Sequence, residues 1–145
     1  MVQVVNDSVG LANELRPVLL RLARQVRRES NDLGVTVGQA ALLAAIGDHP
    51  GITGRELADR ERISPPGMSA HLDRLEGAGL VVRTRGADRR CVGVTLSPEG
   101  KRVLGTIRRQ RTAWLGERLQ QLTEEQRSAI EAAIEPLALL SDGDA

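Results

Sequence analysis

Residues 53–83 read TGRELADRERISPPGMSAHLDRLEGAGLVVR. Two helix starts fall inside this stretch. Thr53 with Glu56 three residues later forms a capping box, in which the hydroxyl takes the third helical N–H and the carboxylate reaches back. Ser64 stands before Pro65, an N-cap ahead of a proline at the first helical position, where the missing N–H costs nothing. Two short helices joined by a tight turn follow, the spacing of a helix-turn-helix. In the second, Met68, Leu72 and Leu75 recur at i, i+4 and i+7 and define a buried stripe. At about 100° per residue the opposite face carries Pro66, Gly67, Ser69, Ala70, Asp73 and Arg74. Its residues are small near the N-terminal end, so backbone and hydroxyl can approach a groove wall, and the helix N-terminus favours a phosphate. An ordinary solvated helix face is the other reading of the same residues.

Gly77-Ala78-Gly79 ends this second helix. Two β-branched segments, Leu80–Thr84 and Val92–Leu96, come next, separated by the polar run RGADRRC at 85–91. They predict a hairpin with a long polar tip. The hairpin carries Arg83, Arg85, Arg89 and Arg90 against Asp88 alone. A charge run is ordinarily just a solvated surface, but here it projects beside a helix-turn-helix. Arginines on a narrow β-ribbon suit a phosphate backbone or a narrow, strongly negative minor groove.

Outward from this centre, Thr36 with Gln39 and Thr123 with Gln126 are two further capping boxes, and Ser97-Pro98 repeats the N-cap and proline pattern. A helix over about 8–31 is expected from Leu11, Leu15, Val18, Leu22 and Val26, with a kink at Pro17. The order is four helices, a hairpin and two helices. The fold class is mainly α with a small β-hairpin wing, a winged helix-turn-helix unit over 33–96 flanked by helices at 1–32 and 97–145.

The 145 residues fit one domain, 1–145. The chain has no Phe, no Tyr and one Trp, so a sheet platform for stacking single-stranded bases has nothing to stack with. Its basic residues, all arginine except one lysine, nearly balance the acidic ones and leave a net charge of +1. The average conceals segregation: from Glu117 onward seven acidic residues face two arginines, while Arg16, Arg21, Arg24, Arg27 and Arg28 form one basic stretch and Lys101, Arg102, Arg108, Arg109 and Arg111 another. The longest apolar run, Ala40–Ile46, is far short of the ~20 residues that cross a bilayer. No secretory signal is visible, and the single Cys91 has no internal disulfide partner, so a reducing cytoplasm is expected and no membrane contact. His49 and His71 are too far apart to suggest a metal site. No phosphate loop or nucleophile motif occurs, so neither cofactor nor enzymatic activity is expected.

Thr36 to Gly100 resembles the multiple-antibiotic-resistance regulator (MarR) family of winged-helix repressors. The resemblance rests on TVGQAALLAAIGDHPGITGRELADR, LDRLEGAGLVVR and DRRCVGVTLSPEG, the last matching DxRxxxVxLTxxG at Asp88, Arg90, Val94, Leu96 and Gly100, with Ser97 in place of Thr. It implies a dimer that reads a palindromic operator in double-stranded DNA, with the second helix of the motif in the major groove. Arg90 would enter the minor groove, braced by Asp88. Ser69 corresponds to the serine of the family's frequent Ser-Arg pair, but Ala70 stands where the arginine usually is, leaving Arg74 and His71 as substitutes for the base contact. The DNA-binding set is therefore Ser64, Pro66, Gly67, Ser69, Ala70, His71, Arg74, Arg85, Asp88, Arg89 and Arg90.

The terminal helices carry more apolar surface than a small domain covers, which predicts a homodimer through them. The resemblance further implies release from DNA by a small aromatic or phenolic acid, with Arg16, Arg24 or His49 as its carboxylate partner. Two alternatives remain at this stage: a winged helix whose arginines bind an acidic protein, and a redox-responsive regulator using Cys91.

Overall fold

The computed structural model describes residues 2–29, 33–85 and 91–141. Its elements are α1 (Val2–Arg28), α2 (Val37–Asp48), α3 (Gly54–Glu61), α4 (Pro65–Gly77), β1 (Val81–Arg85), β2 (Cys91–Leu96), α5 (Pro98–Gln120) and α6 (Glu124–Ser141). This is the order expected from the sequence. The differences lie at boundaries: α1, with Pro17 inside it as expected, starts at Val2 rather than near Ser8, and each strand is displaced or extended by one residue. Caps and hydrogen bonds set such ends, and periodicity reads them least well.

The chain forms two compact units, Met1–Arg111 and Thr112–Ala145. In the first, α2 to α5 each begin where a cap stands. Thr36 and Gln39 bond reciprocally, Thr36 N–H to Gln39 Oε1 at 2.9 Å and Gln39 N–H to Thr36 Oγ1 at 3.1 Å. Thr53 makes the forward bond from Glu56 N–H at 3.1 Å, so this start is a simple cap rather than the full box. The caps orient apolar stripes toward one core: Leu42, Leu43 and Ile46 of α2, Leu57 of α3, Met68, Leu72 and Leu75 of α4, Val94 of β2 and Ile107 of α5. Each such side chain removed from water contributes roughly 1.5–3 kcal/mol before chain entropy is subtracted.

The hairpin is antiparallel, pairing Val81 with Leu96 through Thr84 with Gly93; a register shift between Thr84 and Arg85 then sets Arg85 opposite Cys91. On the other edge of β2, Ile52 from the α2–α3 loop pairs with Val94, through Gly51 N–H to Val94 O at 2.9 Å and Val94 N–H to Ile52 O at 2.8 Å. The backbones come so close here that a Cβ on Gly93 would stand 2.5 Å from the Gly51 carbonyl oxygen. The wing base is thereby tied to the loop that enters the helix-turn-helix.

At the start of α5, Ser97 is buried and does two jobs: its N–H donates to Leu80 O at 3.0 Å and its hydroxyl accepts from Gly100 N–H at 3.0 Å while donating to Gly79 O. In the same turn, hydrogen bonds from Arg102 hold the Glu99 carboxyl below the usual carboxylate range. Further along α5, loss of hydration and then the like charge of Arg27 on α1 lower the pKa of Arg111.

In the second unit Thr123 and Gln126 form the reciprocal box that starts α6, with both bonds near 3 Å (3.0 and 3.1 Å). Arg127 donates to Leu122 O at 2.6 Å, closing the turn between α5 and α6. Arg118 lies over the Trp114 ring, 4.7 Å from its centroid, one helical turn along α5. α6 has no buried residue.

Candidate nucleic-acid interface

The turn of the helix-turn-helix is three residues long and each has a task. Arg62 closes α3 in the left-handed region (φ 54°), a conformation usual for a C-terminal cap but uncommon for a side chain this large. Ile63 N–H then returns to Ala58 O at 2.9 Å. Ser64 caps α4 by accepting from Gly67 N–H at 3.2 Å. Gly67 is needed for that cap, because a Cβ there would lie 2.9 Å from Ser64 Oγ and 3.2 Å from Ile63 Cγ2.

With its start fixed, α4 presents the faces that the sequence pattern predicts. Met68, Leu72 and Leu75 are buried, and Pro66, Ser69, Ala70, Asp73 and Arg74 are exposed. Gly67 and His71 are half-buried, which puts His71 at the edge of the apolar stripe. The exposed surface starts with proline, serine and alanine and ends with one acid and one base, so its N-terminal half is free of bulky side chains.

Arg83 departs from the expectation of a freely projecting ribbon arginine. Its side chain is only 13% exposed and turns back onto α4, where it donates to Asp73 Oδ1 at 2.8 Å and to the Ser69 carbonyl at 3.2 Å. This partnership joins residues ten and fourteen positions apart, and no local spacing rule reveals it. Arg85, beyond the register shift, is exposed. Asp88, Arg89 and Arg90 lie outside the described residues, as does the side chain of Cys91.

Of the three alternative partners for an effector carboxylate, two stand on α1 and one at the end of α2. Arg16 is exposed on α1 and donates to Asn13 Oδ1 at 3.3 Å, and Arg24 is exposed on the same helix. His49 is the C-cap of α2 and lines a cleft of about 510 Å³ with Glu56 and Arg60 of α3. Between α2, β2 and α5 there is a second cleft of about 490 Å³, walled by Ile46, Leu96 and Leu104, whose cations are Lys101 and Arg108. Arg108 also reaches Asp48 Oδ1 at 3.4 Å. In the sequence, Lys101 and Arg108 are members of a basic stretch with no local signal that sets them apart.

Comparison with known proteins agrees with this architecture. Residues 33–90 match the model of the MarR family. An uncharacterised HTH-type transcriptional regulator of Mycobacterium bovis is 31% identical over 140 residues, 96% of this chain and 98% of the relative. The HTH-type transcriptional repressor MdtR of Bacillus subtilis is 28% identical over 113 residues, 77% of this chain and 73% of the repressor. Among solved structures, a Pseudomonas aeruginosa protein superposes with a TM-score of 0.84 at 33% identity, covering 97% of this chain and 99% of its own. A Mycobacterium tuberculosis MarR family protein in complex with p-aminosalicylic acid gives a TM-score of 0.65 at 26% identity, covering 86% and 98%. The fold is that of a winged helix-turn-helix protein. The chain belongs to the MarR family of HTH-type transcriptional regulators.

Proposed function

We propose that this chain is a dimeric repressor that binds a palindromic operator in double-stranded DNA, with α4 in the major groove and the hairpin arginines beside it. The single observation that carries the reading is α4 itself: its apolar stripe is fully buried, and its small, polar face is exposed next to a ribbon bearing Arg85. Ser64, Pro66, Gly67, Ser69, Ala70, His71 and Arg74 form the α4 surface, with phosphate contact from the helix start and Arg74. Arg85, Arg89 and Arg90 contact phosphate or enter the minor groove, with Asp88 as the brace of Arg90. Residues 33–96 are the DNA-binding unit, and helices at 1–32 and 97–145 form the dimer in the cytoplasm. Repression is supported by the relationship to MdtR, and release by a small aromatic acid by the p-aminosalicylic acid complex of the mycobacterial protein.

Salt dependence tests the duplex-binding part directly. Binding to a promoter fragment is expected to weaken steeply with salt, by roughly 0.9 counterions per phosphate contacted, and Arg90→Ala to abolish most of it. Normal affinity in Arg90→Ala sinks the wing assignment; capture of an acidic protein with no salt-sensitive binding to a promoter fragment sinks the function.

A further inference from the structure

The reading that α4 and the wing act on one duplex leaves open what fixes the angle between them. The chain passes from one to the other in three residues, Ala78, Gly79 and Leu80, anchored by Leu80 N–H to Leu75 O at 2.9 Å. The hairpin base is also held by the Ile52–Val94 bridge and by Ser97 on the Leu80 carbonyl, but neither of these contacts involves the exposed face of α4. Arg83 ties the ribbon to that face directly, two residues into β1, by donating to Asp73 and to the Ser69 carbonyl one turn further back on α4. The acceptors come from residues one helical turn apart and are met by the two terminal nitrogens of one planar guanidinium, a fixed fork that the single nitrogen of an ammonium does not reproduce.

The acceptors matter as much as the donor. Asp73 is 66% exposed on the face of α4 turned to the proposed groove, where a carboxylate on its own repels phosphates. Ser69 sits on that same face, so the bond to its carbonyl holds the backbone of the reading surface itself. Arg83 and Arg85 fall on one face of β1 by alternation, yet Arg83 turns onto α4 while Arg85, nearer the tip, is exposed.

We propose that Arg83 is a positioning residue for operator recognition, its guanidinium bridging Asp73 and the Ser69 carbonyl so that α4 and the wing engage the same duplex in register. The proposal rests on the duplex-binding function above. The competing roles are a phosphate contact by Arg83, like the other ribbon arginines, and no role for Asp73 beyond solvation.

Asp73→Asn and Arg83→Lys separate these, measured on two probes over a range of salt: a duplex enriched from a random-sequence library by the wild-type protein, and poly(dI-dC). Asp73→Asn changes an exposed side chain, so the fold survives. It is expected to lose about tenfold in affinity for the enriched duplex while binding poly(dI-dC) as well as or better than before, with an unchanged salt slope. If Asp73 is only an exposed acid, its neutralisation tightens both probes together, and the proposal is overturned. Arg83→Lys keeps the charge and is expected to show the same loss of discrimination. Wild-type discrimination in Arg83→Lys marks a plain charge contact and overturns the brace. Thermal unfolding of both variants identifies any global loss of structure; should Arg83→Lys unfold, Asp73→Asn alone decides. A wild-type protein that enriches no duplex overturns the duplex-binding function itself, whereas an enriching wild type with an unaltered Asp73→Asn ratio overturns only the positioning role.

Discussion

Gly100 illustrates how one residue carries a constraint that its identity alone does not explain. A Cβ at this position would stand 2.0 Å from the Leu80 carbonyl oxygen, which itself accepts from Ser97 N–H. The start of α5 is therefore pressed against the turn between α4 and β1, and only a residue without a side chain permits it. Gly100→Ala is expected to destabilise the protein by about 3 kcal/mol, since neither partner is a flexible side-chain end that can yield. A thermal denaturation scan showing an unchanged midpoint would contradict this packing. The glycine was legible as a motif match, but its reason lies in a carbonyl twenty residues earlier in the chain. Arg83 is the converse case: it was legible as one of a run of ribbon arginines, and its pairing with Asp73 removes it from that set.

At the scale of elements, α4 was readable almost completely. The Ser64-Pro65 start, the stripe of Met68, Leu72 and Leu75, and the exposed face of Ser69, Ala70 and Arg74 all stand where helical geometry puts them. The cap is also the link between stability and binding, because Ser64 fixes the first turn that would face phosphate. Ser64→Ala is expected to cost about 1 kcal/mol of stability and to weaken operator binding more than random binding. Equal losses on both kinds of DNA in a titration would mean that the cap serves folding alone. The hairpin was less legible at its ends: β1 gains Arg85 and β2 gains Cys91 through a bulge, and ladder bonds of this kind leave no mark on hydrophobic alternation.

Large apolar side chains are exposed on α1 and on α6, each helix taken by itself. On α1, Leu11 is 63% exposed and Leu20 57%; on α6, Ile134 is 61% exposed and Leu140 72%. These two faces belong to the flanking helices, and burying them in a partner copy is the interface proposed here. Sedimentation is expected to give a dimer at micromolar concentration, and Ile134→Glu with Leu137→Glu to shift it toward monomer with loss of operator binding. A monomeric wild-type chain at that concentration would count heavily against the two-fold arrangement. The charge segregation fits the same arrangement, since the acidic residues from Glu117 onward lie mostly on the helices assigned to the dimer.

What the sequence determined by itself was the element order, the caps and the buried stripes, because each depends on residues within about one or two helical turns of one another. The family followed from thirteen positions around the hairpin, Asp88 to Gly100, since five of them match at fixed spacing. The tertiary structure alone decided the bridge of Ile52 to Val94, the clasp of Ser97 and Gly100 on the α4–β1 turn, and the turn of Arg83 onto Asp73. It also placed Lys101 and Arg108 at the cleft between α2, β2 and α5. Each of these joins groups far apart along the chain. Such contacts depend on how helices and strands pack, and one-dimensional periodicity carries no record of that packing.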